Sequence, residues 1–144
     1  MASKRSHIAT AITVSGLTVA MNAIGAPVGS LPVAQKQGEI SYLMGGVGLP
    51  EADAIKRAAW HYPLELEFVL KAKPKDEYLS AVKVRINDAH DKTVLDVTAD
   101  GPFLLAKMPA GKYVVNAEYK GKVEHREVKI AAKKHRRVVF EWQS

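Results

Sequence analysis

The chain predicts an all-β fold, an antiparallel sandwich of about seven strands with one short helix ahead of it. Three observations predict it. From Tyr62 onward apolar and polar residues alternate with period two, the period of a half-buried strand. Turn chemistry interrupts the alternation at Asp88–Lys92, Asp100-Gly101, Pro109–Gly111 and Lys120–Lys122. Only residues 50–61 carry a convincing helical pattern. A sheet of this size without covering helices needs a second sheet to close its apolar face.

Taken in order, residues 1–30 read as an export signal. Lys4 and Arg5 precede a run with no charged residue before Lys36, beginning IATAITVSGLTVAMNAIGA and ending in the small residues Ala23, Gly25 and Ala26. Thr10, Thr13, Ser15, Thr18 and Asn22 make the run less apolar than a permanent span, so cleavage is expected, with the cut open between residues 23 and 34. The expected address is the periplasm or the exterior of a bacterial cell, with membrane contact only through this segment if it is retained.

Residues 31–49 read as a tail followed by a glycine-rich segment, SYLMGGVG. The helix then starts at Pro50, which suits a first turn, with Glu51 and Asp53 at the positive end of the dipole and Lys56 and Arg57 at the other. Ala52, Ile55 and Ala59 form its apolar stripe. Residues 62–144 are the sandwich. Strands are expected at Leu64–Leu70, Val82–Ile86, Val94–Thr98, Pro102–Ala106, Tyr113–Tyr119, through Val128 and Ile130, and at Val138–Trp142.

Composition excludes more than it assigns. The chain has 21 basic and 15 acidic residues, a net charge of +6. Without Lys4 and Arg5 this becomes +4, too mild and scattered to argue for a nucleic-acid partner. The densest cluster, Lys133-Lys134-His135-Arg136-Arg137, reads as a solvated hairpin turn, with a phosphate or lipid-headgroup contact as the alternative. The absence of cysteine excludes thiol catalysis, thiolate zinc sites and lipid attachment at an N-terminal cysteine.

The run VKVRINDAHDKTVLDVTADGPFLLAKMPAGKYVVNAEYKGKVEHREVKI resembles the carboxypeptidase-regulatory-like domains, whose fold is a transthyretin-like (prealbumin-like, Ig-like) sandwich. The block Met108-Pro109-Ala110-Gly111-Lys112-Tyr113 is its most specific part: a tight turn, after which a tyrosine enters the core. The segment YLMGGVGLPEADAIKRAAWHYPLELEF is similar to a subgroup of small exported proteobacterial proteins carrying this domain. The resemblance implies a non-catalytic module for stability, adhesion or partner binding. A transthyretin-like hydrolase of hydroxyisourate ends in Tyr-Arg-Gly-Ser, whereas this chain ends Glu141-Trp142-Gln143-Ser144, which argues against that activity.

No catalytic, metal or phosphate-loop motif stands out, and no cofactor is expected. Glu65 and Glu67 share one strand face and are read as solvated, paired with Lys83 and Arg85 on a neighbouring strand; the enzymatic alternative makes them a hydrolase's carboxylate pair. His125 and His135, on or near neighbouring strands with Glu127 as a third ligand, are the one conceivable metal set. Tyr42, Trp60, His61 and Tyr62, near the ends of the helix, are the candidate partner-binding surface, but the expected place of Trp60 is as a plug of the helix onto an open end of the sandwich, with recognition the alternative. The expected function is therefore a non-enzymatic module binding a protein partner or an envelope glycan. Self-assembly through a bare strand edge is the structural alternative.

Overall fold

The computed structural model describes residues 30–144. The export signal assigned to residues 1–30 lies outside the described residues, Ser30 apart. Among the described residues no helix is long and apolar enough to cross a membrane.

The elements are β1 (Gln35–Gln37), β2 (Ile40–Gly45), α1 (Leu49–Ala58), a 3-10 turn (Ala59–His61), β3 (Leu64–Lys71), β4 (Glu77–Tyr78), β5 (Val82–Asn87), β6 (Thr93–Ala99), β7 (Phe103–Lys107), β8 (Gly111–Tyr119), β9 (Lys122–Ile130) and β10 (Arg136–Gln143). One sheet runs β1-β2-β7-β3-β10, with β4 also against β3; the other runs β6-β5-β8-β9. This is the all-β sandwich that the alternation implied, and each expected strand forms. The strands beyond the expected seven are β1, β2 and β4.

Between the sheets lie Leu64, Leu66 and Phe68 of β3, Val138, Phe140 and Trp142 of β10, and Val82, Val84 and Ile86 of β5. Val115 and Ala117 of β8 join them. Each large apolar side chain buried there contributes about 1.5–3 kcal/mol. Tyr113 enters this core as expected, and its hydroxyl donates 2.7 Å to the Pro109 carbonyl. That bond ties the tyrosine to the turn that aims it. The β8–β9 turn uses Lys120 (φ 48°) and Gly121 (φ 82°), two left-handed residues whose twist matches the flanking strands.

Three sequence expectations need correction. Residues 31–49 are not a tail, because β2 pairs with β7 from Ser41↔Lys107 to Gly45↔Phe103 and buries Ile40, Tyr42 and Leu43. The sandwich therefore begins at β1 rather than at Tyr62. Glycine masked this strand by interrupting its apolar run. Gly101 explains why small residues are needed here: a methyl group on it would strike the backbone carbonyl of Gly45. The sheet is not wholly antiparallel either. β10 pairs parallel with β3, Arg136↔Leu64 through Gln143↔Lys71. Lys133–Arg137 is accordingly not a hairpin turn; the chain crosses there from one sheet to the other.

The helix packs on the outer face of the first sheet. Ala52, Ile55 and Ala59, the stripe read from sequence, meet Leu43, Phe103, Leu105 and Tyr62. Helical geometry ends at Ala58 and tightens into the 3-10 turn, so the predicted 50–61 helix is two pieces. At the sheet edge, Gln37 of β1 reaches β6 of the other sheet. Its amide accepts from the Asp96 N–H (2.7 Å) and donates to the Asp96 carbonyl (3.3 Å), occupying edge groups another chain could otherwise pair with.

Candidate functional site

Because β3 alternates, Glu65 and Glu67 face opposite to Leu64, Leu66 and Phe68, onto the outer face of the first sheet. They are not solvated: each is 5 % exposed. Lys83 and Arg85 belong to the other sheet and are not their partners; Arg85 instead pairs with Asp96 across β5 and β6. The partners come from the parallel strand β10 and the residue before it. Arg137 Nη2 donates to Glu67 Oε2, and Arg137 Nε lies 3.9 Å from Glu65 Oε2. The Glu67 bond, together with the charges of Glu67 and Glu65, holds the Arg137 guanidinium above its ordinary range against the opposing effect of burial.

His135 is fixed at both ring nitrogens. Nδ1 lies 2.8 Å from the Tyr62 carbonyl and Nε2 lies 2.8 Å from Glu65 Oε1. A carbonyl only accepts, so Nδ1 carries its hydrogen and donates. Across the Nε2 contact one proton is shared, either on the ring facing a carboxylate or on a Glu65 carboxyl group. The ring cannot turn without losing both bonds. Against it rests Trp60, with centroids 4.9 Å apart and planes inclined by 41°.

Trp60 is 76 % exposed, so it is not the plug between helix and sandwich that the sequence favoured. The 3-10 turn swings its indole out over the end of the sandwich while Ala59 and Tyr62 face inward. There a groove of about 740 Å³ is lined by Trp60, His61, Tyr62 and Pro63, by Lys107 at the end of β7 with Met108 and Ala110 after it, and by the β9–β10 crossing up to His135. Lys107 Nζ sits 5.1 Å from the Tyr62 ring centroid.

Of the four candidate residues, the structure brings Trp60, His61 and Tyr62 together on this groove. Tyr42 is not with them. It is buried on β2 facing the intersheet core, the opposite face of the sheet from Tyr62, with its hydroxyl 3.4 Å from Gln35 Oε1. The residues sequence reasoning did not assign to the groove are Lys107, Lys133, Lys134 and His135. The basic cluster around residue 135 was visible, but only the parallel β3–β10 pairing sets it beside Trp60. The conceivable metal set does not assemble: His125 is exposed on β9 of the second sheet, while His135 is bonded beside Glu65 on the first. The groove is lined by His135 but by neither carboxylate: Glu65 is held against His135, and Glu67 against Arg137.

No protein-family model matches the chain, and no curated protein matches it.

Proposed function

We propose that this is an exported, non-catalytic binding module that uses the groove at the Trp60 end of the sandwich to hold a partner, an envelope glycan or a protein. The observation that carries the reading is the state of Trp60. A large ring is left in solvent, where burial would ordinarily stabilise it, yet its backing is built from a histidine anchored at both nitrogens. Exposed, pre-positioned aromatic rings are the usual anchors of recognition surfaces. The resemblance to carboxypeptidase-regulatory-like sandwiches and the signal-like N-terminus fit the same reading. The engagement of Glu65 and Glu67 with His135 and Arg137 weighs against the hydrolase alternative, because a catalytic carboxylate must reach substrate.

The test is affinity capture from a bacterial envelope extract with the tagged protein, run beside Trp60→Ala and an exposed control substitution, Lys75→Ala. One component retained by the parent and the control but lost with Trp60→Ala supports the proposal. Turnover of an ester, amide or glycoside panel that disappears in Glu65→Gln refutes it.

A further inference from the structure

We infer that the groove recognises a phosphorylated saccharide, with the phosphoryl group on Lys107, Lys133 and Lys134 and a sugar ring against Trp60. This inference rests on the binding-module reading and specifies its ligand. Three features of the groove select this chemistry. First, its charged lining is of one sign: three lysines, with no Asp, Glu, Asn or Gln, while both ring nitrogens of His135 are already bonded within the fold. Such a wall offers donors and positive charge, and suits ligand oxygens that only accept and are themselves anionic. The nearest carboxylate, Glu65, is already committed to His135 and Arg137 and cannot neutralise the lysines further.

Second, a volume of about 740 Å³ exceeds what a lone phosphate fills and accommodates a ring with its substituents. The indole of Trp60 supplies a flat apolar face for that ring. Third, the groove walls are strand ends, a 3-10 turn and the sheet-to-sheet crossing. Although β9 and β10 are the outer strands of their sheets, only Ile130 at the end of β9 and His135 just before β10 reach the groove, so an extended acidic peptide would find little strand edge there to pair its backbone with. The stacking face and the cationic wall therefore meet at a site built for a compact anion joined to a ring.

The fluorescence of the protein itself reports binding, because its other tryptophan, Trp142, is buried and hydrogen-bonded to the Lys122 carbonyl. The probes are a pentamannose bearing one terminal phosphate, the same pentamannose without it, inorganic pyrophosphate, oligothymidylate and phosphatidylglycerol vesicles. The inference expects the phosphorylated sugar to change the Trp60 emission and to bind more tightly than pyrophosphate. It expects binding to weaken with added salt and to fall about tenfold or more in the Lys107→Gln/Lys133→Gln/Lys134→Gln variant, whose exposed changes leave folding intact. Equal binding of the unphosphorylated sugar, indifferent to the lysine changes, overturns the inference and leaves the binding-module reading standing. Tighter binding of oligothymidylate, or binding of vesicles without the sugar, overturns it in favour of those ligands. If no probe binds, the inference falls; envelope capture dependent on Trp60 then decides whether the wider proposal survives.

Discussion

Arg137→Ala removes the cation that compensates two buried carboxylates, and its cost can be worked out from the surroundings. Glu67 and Glu65 have side chains only 6 % and 7 % exposed, and both face Arg137. Stripping the partner from a fully buried ion pair costs about 3–5 kcal/mol, because a desolvated charge is left behind. Arg137 itself is 54 % exposed, so water can reach part of the vacated space and the cost should be roughly halved. About 1.5–2.5 kcal/mol is expected, or a fall in Tm of about 5–15 °C for a domain of this size. The same reasoning makes the double variant Glu67→Leu/Arg137→Ala recover most of the loss, since an apolar side chain of similar size carries no charge to strand. Urea denaturation of the parent, the single and the double variants measures both quantities. A single variant as stable as the parent, or a double variant worse than the single, would refute the claim that Glu67 is buried and ionised against Arg137.

Other perturbations probe other parts of the fold. Gln37→Ala should leave overall stability nearly unchanged but uncover the Asp96 N–H and carbonyl on the edge of β6, so light scattering should show concentration-dependent association that the parent lacks. Gly101→Ala should cost more than about 2 kcal/mol in thermal or urea unfolding, because the added methyl meets the immovable Gly45 backbone rather than a flexible side chain. The Asp88 carboxylate accepts the N–H groups of Lys92 and His90, the Lys92 bond first, and is held below the usual carboxylate range. Its contribution is therefore present above the ordinary carboxylate pKa of 3.8 and is lost as the pH falls through the lower folded value. Stability curves of the parent and Asp88→Asn should lie apart at neutral pH and converge in acid.

Faces were legible in the sequence, whereas neighbours were not. Period-two alternation told which side of each strand is apolar, and Leu66, Val84, Val115 and Phe140 are all fully buried as that pattern requires. It carries no information on which strand lies beside which. The parallel approach of β10 to β3 thus escaped notice, and with it the burial of Glu65 and Glu67, which read as a wet face because Glu alternating with Leu ordinarily means that. β2 escaped for a different reason: Gly45 at its end and Gly46 and Gly48 beyond it resemble the glycines of a loop. The helix stripe was legible because Ala52, Ile55 and Ala59 repeat at helical spacing, but the outward swing of Trp60 was not. That direction is set by the 3-10 turn and by His135, which lies far along the chain. Tyr42 was grouped with Trp60 by sequence proximity to the helix, although a sheet separates their faces.

The sandwich closes around Trp142 and leaves the Trp60 ring in solvent, as the proposed role of Trp60 in binding requires. Hydrogen exchange of the two indole N–H groups, followed by NMR on the free protein, tests both halves together. Trp142, donating 3.0 Å to the Lys122 carbonyl from a buried position, should exchange slowly, while Trp60 should exchange at nearly the rate of a free indole. Two protected indoles would mean that Trp60 is a core plug after all, and two unprotected ones would mean that β10 does not close against β9.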